Sequence, residues 1–356
     1  MKLYKLNENH KRCIIRDYCK YNLIYFKKYY DILVECKNNI DKHIIKWDKY
    51  KKFINDYEYI YTNYNMSMNI CNIQPVSRSY FKLYEILNDF NIKNINKVVS
   101  IAEGPGGFIQ CLYDNYKNIK KIYGITLISD DKSVPIWNYK ITNKDKIELL
   151  DGDGTGDICN KDNIKIFLNI IGENTIDCIT CDGGIDYSKN YTNQENESYN
   201  FIYHEVLLSL QLQKNSGNLI IKIFDIFNTS TIQLVYLLYL CYDSISIIKP
   251  YTSRNTNSEK YLICQNYLYD KNIIDLLYEK YDNKILNIHI PESFLNDLQF
   301  YNDIYIDIQK NNINDVLDKI NSNNIYLDKP NKYQIDKAIK WCNTYNLPIN
   351  EKCIYL

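Results

Sequence analysis

From Pro75 to the 260s, apolar segments of strand length alternate with segments of helical periodicity. This alternation is typical of βαβ units, in which a helix follows each strand and crosses back over the sheet. It predicts an open, mostly parallel sheet covered by helices on both faces. Strands are predicted at residues 97–102, 121–127, 146–150, 175–181, 217–224, 244–249 and 259–265.

The connections between these strands refine the prediction. Helices are predicted near residues 107–116, 161–171, 197–214 and 229–242, so that a helix follows most strands. The last two strands are joined by only about ten residues, too few for a helical crossover, so the final pair is expected to be antiparallel. The fold class is therefore predicted as α/β, with a Rossmann-like sheet of seven strands.

The flanking regions differ in composition from the core: they are rich in Lys, Tyr, Asn and Ile at helical spacing. They predict a helical N-terminal extension over residues 1–74 and a helical C-terminal extension over residues 269–356, around a core domain of residues 75–268. We expect the extension helices to pack on the core. Surfaces for a partner protein or for RNA are the alternative.

The composition excludes few functions, but it limits the kind of nucleic-acid site, the compartment and the relation to membranes that we expect. The 43 basic and 43 acidic residues cancel, so a nucleic-acid site must be a local basic patch. The 12 cysteines are scattered and no apolar leader is visible, which favours a reducing compartment, cytoplasmic or nuclear. The longest apolar run, residues 234–241, is far short of the roughly 20 residues that span a bilayer.

A glycine-rich turn follows the first predicted strand in VVSIAEGPGGFIQCLYDNY, residues 98–116. Gly104, Gly106 and Gly107 permit a tight turn, and the helix that follows is expected to offer free N–H groups to a polar ligand. The spacing differs from G-x-G-x-x-G, and no Gly-Lys-Ser/Thr follows. The turn therefore predicts a nucleotide-type cradle that is neither a dinucleotide fingerprint nor a phosphate loop.

Four charged residues accompany this turn. Asp182 ends the apolar strand IDCITCDGG, and Lys222 interrupts the apolar run GNLIIKIFDIF. Glu259 precedes the last strand, and Lys82 borders the apolar stripe of the helix in PVSRSYFKLYEIL. Ligands of open α/β sheets bind at the carboxyl ends of strands, where these residues can converge. Burial of Lys222 is expected to lower its pKa toward the range of a general base, with Lys82 assisting as a second cation.

Lys82, Asp182, Lys222 and Glu259, arranged in this order around AEGPGGF, resemble the K-D-K-E catalytic tetrad of the FtsJ-like RNA 2′-O-ribose methyltransferases. The resemblance covers residues 75–266. Residues 217–264 resemble viral and eukaryotic mRNA cap ribose methyltransferases more closely than bacterial ribosomal RNA enzymes. The skewed composition adds the expectation of a viral protein or one from an AT-rich protist.

The resemblance implies a seven-stranded class I methyltransferase sheet and S-adenosyl-L-methionine as methyl donor, with no metal. It implies that Lys222 is the base, that Asp182 and Glu259 position it, and that Lys82 holds the ribose or phosphate. The methionine side of the donor would be lined by Gly104, Pro105, Gly106, Gly107 and Phe108, and Asp182 would also bind the donor.

The resemblance also implies that an acidic residue after the third strand recognises the adenine amine of the donor. In LLDGDGTGDI it could be Asp151, Asp153 or Asp157, and we favour Asp153 or Asp157 without separating them. The second strand ends GITLIS and lacks the acidic residue that many class I methyltransferases place against the donor ribose.

Other interpretations are weaker. Cys178 and Cys181 form a C-x-x-C, but strand periodicity puts them on opposite faces, so a metal site is disfavoured. Arg78 and Arg254, each near a tetrad residue, are candidate RNA contacts, with surface salt bridges as the alternative.

The predicted function is RNA 2′-O-methylation on the first transcribed nucleotides of capped mRNA. Capped mRNA is the expected RNA partner, and the extensions could bind capping or transcription machinery. A ribosomal or other structured-RNA methyltransferase is the first alternative, and a non-catalytic RNA-binding subunit is the second. The intact tetrad argues against the second alternative.

Overall fold

The computed structural model describes residues 2–5, 24–184, 192–322 and 329–356. Its strands are β1 Lys2–Lys5, β2 Lys97–Ile101, β3 Lys121–Ile125, β4 Ile147–Leu150, β5 Ile176–Cys181, β6 Gln213–Ile223, β7 Tyr242–Lys249 and β8 Lys260–Tyr267. Its helices are α1 Lys27–Asp41, α2 Ile44–Ile54, α3 Ser79–Asp89, α4 Gly107–Asn115, α5 Tyr139–Thr142, α6 Lys161–Ile171, α7 Gln194–Leu212, α8 Thr229–Cys241, α9 Lys271–Glu279, α10 Glu292–Asn321 and α11 Lys332–Thr344. Short 3-10 turns lie at Glu58–Ile60 and Met66–Met68.

All strands of the described residues join one sheet in the order β1-β7-β8-β6-β5-β2-β3-β4. The block β6-β5-β2-β3-β4 is parallel. Strand β8 runs antiparallel to both β6 and β7, as the short connection before it requires. The start of β8 therefore lies at the same edge of the sheet as the carboxyl ends of β5 and β6.

The seven predicted strands are confirmed, and β1 adds an eighth, antiparallel to β7. Strand β6 begins at Gln213, directly after α7, and not at residue 217 as predicted. The polar segment KNSG is typical of a turn. In the structure it lies within β6, at the point where the pairing of β5 with β6 shifts register between Ile176 and Cys178. Tertiary pairing here overrides the local turn signal.

Strand alternation divides the apolar side chains between two layers. Val99, Ile179 and Ile221 face one core, which α7, α8 and α10 cover. Val98 and Ile220 face the other core, which α3, α4 and α11 cover. Both faces of the sheet are therefore buried, as a parallel sheet requires.

The helices of both extensions pack on this framework. Phe294 and Tyr301 of α10 belong to the first core, and Trp341 of α11 belongs to the second. A third cluster joins Trp47 of α2 to Ile313 of α10. The extensions thus share apolar cores with the sheet and with each other, as expected for helices packed on the core, while the domain boundaries at residues 74 and 268 stay a prediction.

Within the ranges that the structure describes, none of the helices combines the length and the apolar character that crossing a membrane demands.

Candidate active site

The first pair of charged side chains comes from adjacent parallel strands. Asp182 follows β5 directly, and Lys222 is the penultimate residue of β6. The Lys222 ammonium lies 3.2 Å from Asp182 Oδ1 and donates to the Asp182 backbone carbonyl at 2.8 Å. Because these strands end at the same edge, their last side chains meet there. The pair is largely screened from water, with the side chains 10% and 11% exposed.

The second pair joins a helix to the reversed strand. Glu259 stands immediately before β8 and reaches the carboxyl edge because β8 is antiparallel. Its carboxylate lies 2.7 Å from the ammonium of Lys82, which projects from α3. The structure thus brings all four predicted tetrad residues to one edge of the sheet.

Two hydroxyl groups that the sequence analysis did not single out complete these pairs. Tyr261, which pairs with Lys222 across β6 and β8, donates its hydroxyl to Asp182 Oδ1 at 2.7 Å. Ser253 donates to Glu259 Oε1 at 2.7 Å. Tyr261 could have been found from strand periodicity, since it lies two residues after Glu259 and shares its face. Ser253 sits in a loop and carries no such signal.

The opposite charges of the site shift one another's pKa values so that each group stays ionised. Burial would raise the pKa of the Glu259 carboxyl, but the ammonium groups of Lys82, Lys222 and Lys249 outweigh burial and hold that pKa well below its usual range. Burial would lower the pKa of Lys222, but Asp182 and Glu259 outweigh it and raise that pKa. The expectation that the pKa of Lys222 is depressed is therefore wrong for this site, since the two carboxylates outweigh burial.

Lys249, the last residue of β7, is a further buried cation that the sequence analysis missed. Its ammonium donates to the carbonyls of Glu259 at 2.7 Å and Asn257 at 2.9 Å, and to Asn257 Oδ1 at 2.7 Å. These bonds fix the backbone that presents Glu259. Burial lowers the pKa of Lys249 to about 7. A lysine at the end of an apolar strand was the available signal.

The glycine-rich turn departs from its expected role in one respect. Glu103 turns back over the start of α4, where its carboxyl oxygens accept the N–H groups of Phe108 at 2.9 Å and Ile109 at 3.3 Å. These N–H groups are therefore not free for a ligand, contrary to the expectation from sequence. Burial, reinforced by Asp182, raises the pKa of Glu103 well above its usual range.

The five turn residues differ in accessibility. Gly104 and Pro105 are half-buried, whereas Gly106, Gly107 and Phe108 are buried inside the protein. Gly106 has a φ of 110° and its Cα faces Ile141, so a side chain there would meet both strain and a clash. In this conformation only Gly104 and Pro105 present surface to a ligand.

A pocket of about 260 Å³ opens beside the Asp182 edge. Asp157 contributes a carboxylate to its lining, and Leu127, Ile158 and Phe201 contribute apolar surface. Gly183 and the half-buried Ala102 also line it. Apolar walls together with the carboxylates of Asp157 and Glu197 fit a purine ring that carries an amine.

The pocket separates the three acidic candidates left open by the sequence. Asp157 lines it, whereas Asp151 and Asp153 do not. Asp153 instead holds its own loop together by accepting hydrogen bonds from Thr155 and Asn163, which lower its pKa. Geometry therefore favours Asp157 as the group that contacts a ligand.

Arg78 and Arg254 both bond within the chain. Arg78 donates to the carbonyls of Tyr61 at 2.5 Å and Thr252 at 3.0 Å. Arg254 forms a two-pronged ion pair with the buried Glu58, at 2.6 and 2.9 Å. Together they clamp the loop before Glu259 to the segment preceding α3. Their predicted contact with RNA stays a prediction.

The cysteines of the C-x-x-C lie on opposite faces of β5. Cys178 belongs to one core and Cys181 to the other, so the two thiols cannot share an ion. In the described part of the chain, no group of three or more His, Cys, Asp or Glu side chains is arranged to hold a metal.

The sheet order and the charged edge beside a purine-sized pocket are typical of the nucleotide-binding α/β class of proteins. Residues 75–267 match the family model described as FtsJ-like methyltransferase. This match covers more than half of the chain, and the chain belongs to that family.

Two curated relatives share one name. The cap-specific mRNA (nucleoside-2′-O-)-methyltransferase 1 of Dictyostelium discoideum is 32% identical over 215 residues, covering 52% of this chain and 27% of that protein. The Homo sapiens protein of the same name is 31% identical over 173 residues, covering 46% of this chain and 21% of that protein. The chain thus spans about a quarter of the length of these relatives.

Among solved structures, a Plasmodium falciparum protein described as a ribosomal RNA methyltransferase is 22% identical, with a TM-score of 0.42. The match covers 55% of this chain and 99% of that one.

Proposed function

We propose that this chain is an S-adenosylmethionine-dependent RNA 2′-O-ribose methyltransferase acting on the first transcribed nucleotides of capped mRNA. The observation that carries the proposal is the convergence of Lys82, Asp182, Lys222 and Glu259 at one sheet edge, beside a purine-sized pocket. Family membership supports methyl transfer. The names of the curated relatives support the capped substrate.

The residues around the pocket fit the methyl donor. Asp157 would accept a hydrogen bond from the adenine amine, and Leu127, Ile158 and Phe201 would pack against the ring. Gly104 and Pro105 would lie along the methionine part, with Gly106, Gly107 and Phe108 supporting the turn from beneath. When bound, S-adenosylmethionine supplies a methyl group made electrophilic by its sulfonium.

The protein's own residues would align the ribose and manage one proton. Lys222 is the proposed acceptor of the 2′-hydroxyl proton. Asp182, oriented by the Tyr261 hydroxyl, holds Lys222 from one side. Lys82, fixed by Glu259, faces the same edge and would bind the ribose or a phosphate. Correct alignment of hydroxyl and methyl group would supply much of the rate enhancement.

The raised pKa of Lys222 adds a condition. In the site as it stands Lys222 is an ammonium, so it must lose a proton before it can accept one. Burial favours that loss, whereas Asp182 and Glu259 oppose it. The protonated form can still orient the hydroxyl oxygen by donating a hydrogen bond.

RNA contacts and partners follow as proposals. Arg78 and Arg254 flank the tetrad and would have to share or exchange their present hydrogen bonds to contact RNA. The outer faces of the extension helices would be where capping or transcription machinery binds. The buried thiols suit a reducing compartment.

The test uses labelled S-adenosylmethionine and two RNAs of one sequence, with and without an N7-methylguanosine cap. Nuclease digestion then locates the label. Label on the 2′-oxygen of the first or second nucleotide of the capped RNA alone is the expected result. Equal labelling of both RNAs would favour a structured-RNA enzyme. Absence of label despite donor binding would contradict the proposed activity of this chain.

A further inference from the structure

A fully buried carboxyl lies directly beneath the catalytic edge. Glu205 belongs to α7, which packs against β5, and none of its surface is exposed. A Cβ built on Gly183 would fall 2.5 Å from Glu205 Oε1, so this carboxyl presses against the residue that follows Asp182. A Cβ built on Gly184 would fall 3.1 Å from Lys222 Nζ. Glu205 and Lys222 therefore contact consecutive residues of one turn.

Glu205 has no evident structural task. Neither of its oxygens receives a hydrogen bond from a side chain of the described ranges, and its polar contact is with the backbone of Gly183. Glu195, which is also buried on the same helix, differs because it accepts the N–H groups of Phe227 at 2.9 Å and Asn228 at 2.8 Å. A buried carboxyl without such a role costs stability, which makes a role in the adjacent site the natural explanation.

The charged groups around Glu205 indicate that its charge state affects Lys222. Lys222 of β6 attracts its ionised form, whereas Asp182 repels it. The thiols of Cys181 and Cys159 lie within its electrostatic reach: burial raises the pKa of each, and Glu205 adds to that rise. Burial raises the pKa of Glu205 to about 8, so this carboxyl is neutral at pH 7 and ionises just above it.

We propose that Glu205 is a positioning residue of the methyltransferase site, whose gain or loss of a proton sets how firmly Lys222 holds its own. The neutral carboxyl leaves Lys222 facing Asp182 and Glu259 alone. The ionised carboxyl adds a third negative charge, which holds the proton on Lys222 and makes it a poorer acceptor. The catalytic meaning rests on the proposed function, but the coupling between the two groups does not.

The experiment is a pH titration of Lys222 by NMR with ¹⁵Nζ-labelled lysine, with the signal assigned from Lys222→Arg. Wild-type protein is compared with Glu205→Gln, an isosteric mimic of the neutral acid, and with the matched control Glu195→Gln. Loss of a nearby negative charge is expected to lower the pKa of Lys222 by about one unit in Glu205→Gln alone. In wild type the Lys222 signal is expected to show an additional inflection near pH 8, where Glu205 ionises.

The same proteins are then assayed for methyl transfer to capped RNA across pH. The rising limb of the rate profile is expected to move to lower pH by the same unit in Glu205→Gln, a tenfold gain at a fixed pH on that limb, with KM unchanged. An unshifted Lys222 titration without the additional inflection, or an equal shift in Glu195→Gln, would overturn the proposal. Because the titration needs no turnover, an inactive wild type would count against the proposed function and leave the test of Glu205 intact.

Discussion

At the scale of single residues, the site balances charges that would each be costly alone. Burying one ammonium or carboxylate without a partner costs several kcal/mol, whereas Lys222 with Asp182 and Lys82 with Glu259 offset much of that cost pairwise. Lys249 adds a third cation whose ammonium is engaged by backbone carbonyls. Because the pKa of Lys249 is about 7, this lysine is only partly protonated near neutral pH, and the buried charges of the edge come close to balance.

Tyr261 offers a residue-scale prediction. Tyr261→Phe removes the O–H that orients Asp182 and keeps the ring, so the rate of methyl transfer is expected to fall about tenfold, corresponding to the loss of one hydrogen bond to a charged group. Tyr242→Phe is the matched control, because its buried hydroxyl bonds to Gln213 away from the site. Single-turnover kinetics check both variants, and equal rates for the two would contradict the assigned role.

Substitutions of the two aspartates in the loop after β4, Asp153 and Asp157, are expected to have different effects. Asp157→Asn should weaken donor binding about tenfold, because the proposed acceptor of the adenine amine loses its charge. Asp153→Asn should leave donor affinity nearly unchanged and lower thermal stability, because it weakens bonds to Thr155 and Asn163. Calorimetric titration with the donor and thermal unfolding distinguish them. The reverse pattern would reassign the adenine contact to Asp153.

The tetrad could be predicted because each member follows from local pattern. Asp182 and Lys222 end or interrupt apolar strands, and Glu259 precedes one. What could not be predicted is set by tertiary contacts: Glu103 folding back onto α4, Glu205 reaching the turn from α7, and the direction of the Lys222 pKa shift. That direction depends on how close Asp182 and Glu259 come, which a sequence does not give.

At the scale of elements, α1 is tied to the core by a buried charge cluster. Lys37 of α1 lies 3.1 Å from Asp225, which follows β6, and Lys260 of β8 lies 3.1 Å from the same carboxylate. Ser258 donates to it at 2.8 Å. Burial would raise the pKa of Asp225, but the two ammonium groups outweigh it and hold that pKa well below its usual range. The N-terminal extension is thereby joined to a strand end beside the tetrad.

This cluster predicts a pH-dependent stability. Because the folded pKa of Asp225 is depressed, its contribution is full above the unfolded pKa of about 4 and is lost as pH falls toward the folded pKa. Lys37→Met is expected to lower the free energy of unfolding by about 3 kcal/mol at pH 7, with a smaller loss below pH 4. Lys27→Met, which breaks the exposed pair with Asp31 on the same helix, should cost under about 0.5 kcal/mol. Urea unfolding at pH 7 and below pH 4 measures the free energy of unfolding of each variant. Equal losses for Lys37→Met and Lys27→Met would contradict the assigned role of the buried cluster.

The strands and most helices of the core were predictable because periodicity and apolar runs define them directly. Two departures have a common cause. Strand β1 has four residues and exists by pairing with β7, and β6 begins early because Gln213 already pairs with Ile176 of β5 and a register shift accommodates the unpaired KNSG. Pairing between distant segments decides such edges, and it leaves no local mark.

At the scale of the whole molecule, the family-matched segment shares its two cores with helices that lie outside it. Side chains of α10 and α11, among them Phe294, Leu298, Tyr301 and Trp341, are buried in the cores on either face of the sheet. Fully burying each is worth about 1.5–3 kcal/mol. Their combined loss is comparable with the roughly 5–15 kcal/mol that stabilises a domain.

A truncation tests this dependence. Residues 75–267 alone are expected to lack a cooperative thermal transition and to bind an apolar dye, whereas the full chain shows one transition without dye binding. Differential scanning calorimetry and dye fluorescence are the measurements. A truncated protein that unfolds cooperatively near the temperature of the full chain would show that the extensions are appendages and not part of the core.

In the proposed function, the charged edge carries out chemistry and does not merely hold the donor. The most direct measurement is the single-turnover rate of methyl transfer to capped RNA by wild type and Lys222→Ala, with donor affinity measured separately by calorimetry. A rate loss of about 10²-fold or more, with donor affinity changed less than about twofold, is the predicted result. A Lys222→Ala rate within a few-fold of wild type would contradict the claim.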